Sequence, residues 1–222
     1  MNYISLSLLF SSVFFLSACS TNAENLNSSV SCDQIIDKEY YEICYDYEYK
    51  GALFVSYHLE GDKVYANNIE QRDNFYIEGS LPREYASSSD DYTGSGYDRG
   101  HLASDASFDY SSDALHSVYS MANIVPQDPE LNRELWIDTE YYERQKAKEF
   151  GSLDVTIGVV YPQNPMQIGE DFISVPSRFY KAISNTEYNF EECYSYENIP
   201  SSIDESLESH KVECSELILE YY

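Results

Sequence analysis

Residues 97–108 read YDRGHLASDASF, and they follow the glycine- and aspartate-rich stretch DDYTGSG at 90–96. An acid, a base, a glycine and a histidine stand in consecutive positions, Asp98 to His101. Small polar residues on the upstream side mark a loop that delivers the chain to this point. A lone histidine in such a turn is more often structural than chemical. What surrounds it decides the reading.

Downstream lie MANIVPQ at 121–127 and LNRELWIDTE at 131–140. The second opens the clearest helix of the chain, expected over 128–150. Asp128 suits its N-cap, Pro129 its first position, Lys146 and Lys148 its C-terminal end, and Gly151 its stop. Leu131, Leu135, Thr139 and Tyr142 recur at helical spacing and should face the core. Asn132, Trp136, Glu140 and Arg144 follow at four-residue steps on an adjacent stripe, where an ion pair between Glu140 and Arg144 is the plainest expectation.

In this order, DRGH, ANIVPQ and N...W...E resemble the DNA/RNA non-specific endonucleases, a branch of the ββα-metal or His-Me finger nucleases. The similarity runs from about Lys50 to Lys181. Two positions depart from the family pattern: Ala122 stands for a serine before Asn123, and Ser104 for the proline usual after DRGHLA.

The resemblance implies an α+β fold, a mixed or antiparallel sheet with a ββα finger. It implies hydrolysis of DNA and RNA without sequence preference, leaving 5′-phosphate ends. His101 then serves as general base, a role neutral imidazole suits near physiological pH. Asn132 is the direct protein ligand of Mg²⁺, with Mn²⁺ as a possible substitute, and Glu140 orients the water around that ion. Arg99 contacts phosphate and Asp98 shapes the strand end. Asn123 and Gln127 support the site. Arg72 is the candidate for the arginine that stabilises the crowded phosphorus, since a guanidinium fork meets two phosphate oxygens at once. A surface role for Arg72 stays open, with Arg133 and Arg144 as substitutes.

The length of 222 residues suits one domain behind a short leader. Residues 1–18 carry an apolar run too short for a stable span, although no Lys or Arg precedes it. LSAC at 16–19 resembles a lipobox, so Cys19 would be lipidated, and Ser20 rather than Asp favours the outer membrane. Cleavage without lipidation is the alternative. On this reading 19–31 is a tether, 32–222 the nuclease domain, and the location periplasm, outer membrane or cell surface. Cys32, Cys44, Cys193 and Cys214 remain, an even number suited to two disulfides. Proximity favours Cys32 with Cys44 and Cys193 with Cys214. A zinc site is the rival, though no CxxC is present.

The net charge of −26 repels polyanions and opposes a nucleic-acid role. Screening over about 8 Å at physiological salt lets a local cationic site act independently of distant acids. Ten acids against one lysine fall between Thr186 and Tyr222, beyond the recognisable site. A non-catalytic acidic surface lipoprotein, binding cations or a partner on a decayed nuclease scaffold, is the competing class. Elsewhere, 41–59 reads as extended, EGDK at 60–63 as a turn returning VYANNI as a hairpin, 154–162 as a buried strand, and 171–183 as a further strand region. Ser202 and Glu205 offer a capping box for a short final helix. Oligomeric state has no sequence signature here.

Overall fold

The computed structural model describes residues 30–200 and 205–218. The expected leader and nearly all of the tether lie outside them, as does Ser202. Strands β1 (Gln34–Asp37), β2 (Glu42–Asp46) and β3 (Gly51–Glu60) form an antiparallel meander. The chain then leaves the sheet for about 90 residues. Within that excursion β4 (Asp98–His101), α1 (Asp105–Phe108), α2 (Ser112–Val118), β5 (Ile124–Gln127), α3 (Pro129–Arg133) and α4 (Leu135–Phe150) follow in turn.

β6 (Ser152–Val160) returns to pair antiparallel with β3, setting Val55 opposite Ile157. A small pair, β7 (Gln167–Ile168) and β8 (Ile173–Ser174), precedes β9 (Arg178–Asn185) and β10 (Phe190–Glu197). β11 (Lys211–Val212) and α5 (Cys214–Ile218) close the described chain. Among the described residues the main sheet has seven strands in the order β1-β2-β3-β6-β9-β10-β11, and the neighbouring pairs are antiparallel. The α+β class with an antiparallel sheet therefore holds.

One face of the sheet receives α4. Trp136 enters between the rings of Phe179 and Tyr196, both at 5.7 Å between centroids, and is almost wholly buried. Lys181 of β9 points the same way and is fully buried. Its Nζ donates to Glu143 Oε2 of α4 at 2.6 Å and stands over the Trp136 ring. A charge survives at that depth only when paired, and Glu143 also accepts from Tyr57 Oη at 2.7 Å and Ser107 Oγ at 3.2 Å. α1, α4, β3 and β9 are thus joined by one carboxylate. On the opposite face, Leu217 and the Cys193–Cys214 disulfide pack beside Tyr180 and Ala182. The second disulfide joins Cys32 to Cys44, so both favoured pairings are present.

Two local expectations are corrected. The helix over 128–150 is two helices: Asp128 caps α3 by accepting from Glu130 N at 2.9 Å, but Glu134 leaves helical geometry (φ −121°, ψ −92°) before α4 begins. Gly151 ends α4 at φ 86°, as its lack of a side chain permits. No hairpin returns after 60–63. Both edges of β3 are occupied, by β2 and β6, and Val64 folds into the core beneath the turn. The capping box expected at Ser202 lies outside the described residues; within them, Leu207–His210 is a 3₁₀ helix with Ser206 at its N-cap.

Candidate active site

β4 and β5 run antiparallel with Asp98 opposite Gln127 and His101 opposite Ile124. Their close pairing explains the glycine between Arg99 and His101: a Cβ at Gly100 would collide with the Gln127 side chain. Asn123, fully buried, clamps the turn that feeds the pair. Its amide donates to Ala103 O at 2.9 Å and Val118 O at 3.0 Å and accepts from Ala103 N at 2.9 Å. Gln127 is buried too, with Nε2 lacking a partner.

The two ends of β4 are fastened to the helices that follow. Asp98 Oδ2 accepts from Asn132 Nδ2 at 3.0 Å, and the same carboxylate takes a two-pronged contact from Arg133, at 2.8 and 2.7 Å. Four residues further on in the helical pair, Trp136 Nε1 donates to the His101 carbonyl at 3.2 Å. His101 and Asn132 therefore belong to one ββα unit. Since Asn132 gives its NH₂ group to Asp98, its carbonyl oxygen is the end left for an electrophile.

The His101 ring is flanked by Phe75 (5.5 Å) and, edge-on, Tyr119 (5.2 Å), and its Nε2 is buried without a hydrogen-bond partner. Burial pushes its pKa down to about 4, against a weaker upward pull from Asp105. The three other histidines each lie beside a carboxylate: His58 with Asp154, His116 with Asp73, His210 with Glu205. Among the described residues His101 has no such ion pair, so its imidazole stays neutral at neutral pH.

Glu140 lies on α4 two turns beyond Asn132. Burial pushes its carboxyl up to about 7, with Lys181 pulling it down. The expected Glu140–Arg144 ion pair is not formed among the described residues. Arg144 is buried instead, and among the described residues its Nε and Nη1 have no hydrogen-bond partner. Arg99 lies between the rings of Phe75 and Tyr92 and donates to Ser89 O at 2.6 Å, which leaves its Nε unpartnered.

Arg72 reaches Asp105 Oδ1 at 2.8 Å and Asp109 Oδ2 at 3.5 Å, while Asp105 Oδ2 accepts from Tyr119 Oη at 2.6 Å. Arg133, bound to Asp98 and largely exposed, is placed to orient that carboxylate. Sequence reasoning missed Phe75, Asp105 and Tyr119. Asp105 lies inside the opening motif, but nothing in the linear order shows that it meets an arginine 33 positions upstream.

The family model described as DNA/RNA non-specific endonuclease matches residues 19–217. The chain belongs to this family. Among curated relatives of the DNA/RNA non-specific endonucleases, it is 29% identical over 160 residues to "Endonuclease G, mitochondrial" of Homo sapiens, covering 68% of this chain and 54% of that one. It is 30% identical over 151 residues to "Nuclease EXOG, mitochondrial" of Homo sapiens, covering 64% and 41%. The chain spans about half the length of the curated relatives it matches. A solved structure titled "Crystal structure of the EndoG/EndoGI complex: Mechanism of EndoG inhibition" superposes with a TM-score of 0.78 at 23% identity, covering 86% of this chain and 84% of that one, a likeness of fold.

Proposed function

We propose that this chain is a metal-dependent endonuclease that hydrolyses phosphodiester bonds in DNA and RNA without sequence preference and leaves 5′-phosphate ends. One observation carries the reading: a neutral histidine without a carboxylate partner and an asparagine with its amide nitrogen already engaged are fastened to the same four-residue strand. Hydrolysis needs a base that is unprotonated before it acts, and the buried His101 imidazole is in that state at neutral pH. It accepts the proton of the attacking water.

The donors present suit a hard divalent cation. Asn132 offers a carbonyl oxygen. Glu140 is a desolvated carboxyl with no direct ion pair among the described residues. Among those residues no group of three or more His, Cys, Asp and Glu converges as a metal cage, and so small a ligand set fits Mg²⁺, or Mn²⁺ in its place, which keeps most of its waters. When bound, the cation supplies positive charge against the charge that develops on the phosphate and the departing oxygen. Asp98 holds Asn132 in the orientation that presents its oxygen. Arg144, Arg99 and Arg72 bring guanidinium donors to the same unit, and the unpartnered nitrogens of the first two suit phosphate oxygens.

Export, with Cys19 lipidated or simply cleaved behind, belongs to the same proposal. Two disulfides support it, since such bonds persist in oxidising compartments. The test is incubation of the purified protein with supercoiled plasmid and with RNA, with Mg²⁺ or Mn²⁺ and with EDTA. Nicking of both substrates, lost with EDTA and in His101→Ala, is expected, and the plasmid ends should ligate without prior phosphorylation. Intact substrates with both metals would sink the reading and leave a non-catalytic binder.

A further inference from the structure

Arg72 stands on a segment, residues 67–75, that has no regular structure. α1 is its mooring. Ile69 N donates to Asp109 O at 3.2 Å, Asn67 Nδ2 donates to Tyr110 O at 3.2 Å, and the Arg72 guanidinium meets Asp105 and Asp109. α1 begins four residues after His101, so the turn that carries the chain away from the base also holds the arginine. Asp105 commits both oxygens, one to Arg72 and one to Tyr119, and the Tyr119 ring meets the His101 ring edge-on.

This ion pair does little for stability. The Arg72 side chain is 37% exposed, and pairs so wetted contribute little. What the contact fixes is direction. An arginine carries several rotatable bonds, and holding it before substrate arrives removes an ordering cost from the reaction. One terminal nitrogen is engaged by the carboxylates, and a guanidinium has five N–H donors, so others remain for a phosphate.

We infer that Asp105 is a positioning residue for phosphodiester hydrolysis, holding Arg72 beside His101 with the Tyr119 hydroxyl as its second anchor. The inference rests on the proposed nuclease activity and on Arg72 as a phosphate-binding group. Asp109 is the weaker partner: burial raises its carboxyl pKa against the pull of Arg72, and its contact is longer.

A double-mutant cycle on the full protein with Mg²⁺ and a defined DNA duplex tests it, with kcat and KM measured for wild type, Asp105→Ala, Arg72→Ala and the double variant. Asp105→Ala should lower kcat by roughly tenfold to a hundredfold, the scale of a misplaced catalytic group. KM should not rise, because removing a carboxylate removes no attraction for phosphate. Asp105→Glu should recover part of kcat, and Tyr119→Phe should lose less than Asp105→Ala. The double variant should be no slower than Arg72→Ala alone. Wild-type kcat in Asp105→Ala, or losses that multiply in the double variant, overturns the inference, as does a silent Arg72→Ala. Thermal melting confirms that each variant is folded, and Asp105→Asn, of the same size, replaces any Asp105→Ala protein that is not. An inactive wild type would instead sink the nuclease reading itself.

Discussion

On the proposed mechanism, His101 is prepared for its role as base by what is kept away from it. Phe75 and Tyr119 cover the ring, among the described residues no carboxylate pairs with it, and burial brings its pKa down to about 4. Between the ordinary value near 6.5 and that of the folded state, the unfolded chain binds a proton that the folded chain refuses, so this site lowers stability as pH falls through that window. Activity follows the folded value. On the proposed mechanism the base works only when neutral, so with saturating Mg²⁺ holding the Glu140 carboxylate ionised against its raised pKa, kcat/KM should hold from neutrality downward and fall near pH 4. An acid limb at 6.5 would instead show an imidazole as solvated as any surface histidine. The residue itself was legible in the sequence, because DRGH, ANIVPQ and N...W...E stand in order at matched spacing. Its aromatic walls were not, since Phe75 and Tyr119 come from separate segments whose apposition is made only by tertiary packing.

At the scale of elements, the sequence displayed the periodicity of α4 and the β-branched run of β6, both dictated by local pattern. It did not display the interruption at Glu134, because no Gly or Pro marks it. The break falls between Asn132 and Arg133, both drawn to Asp98, and Trp136, drawn to His101 and the sheet. Nor did it show that Lys181 would be buried, since a lysine in a strand pattern reads as a solvent-facing position. Glu143, from a helix 38 residues earlier, supplies the missing partner. That pair carries a prediction. Lys181→Met alone strands the Glu143 carboxylate in the core and should destabilise by about 3–5 kcal/mol. Adding Glu143→Gln removes the stranded charge while keeping an oxygen for Tyr57 and Ser107, and most of the loss should return. Chemical denaturation measures both. A double variant less stable than the single would mean that the pair is not the unit that joins α4 to β9.

For the whole molecule the difficulty is that, on the proposed function, a chain of net charge −26 must receive a polyanion. The fold answers it by location. The described part of the acid-rich stretch from Thr186 forms β10, β11 and α5, which covers the sheet face around Leu217, whereas Arg72, Arg99 and Arg144, the side chains proposed to meet phosphate, belong to the excursion between β3 and β6. With three such arginines and about 0.9 in log–log salt slope for each phosphate neutralised, binding should weaken by no more than roughly 40-fold between 50 and 200 mM salt at constant Mg²⁺. Screening of repulsion from the acidic body lowers that figure further, because added salt weakens both forces. Fluorescence anisotropy of a labelled duplex with His101→Ala protein reads the slope without cleavage. A slope steeper than about 3 would demand phosphate contacts beyond these three side chains, and would move the binding surface away from the ββα unit onto lysines elsewhere on the molecule.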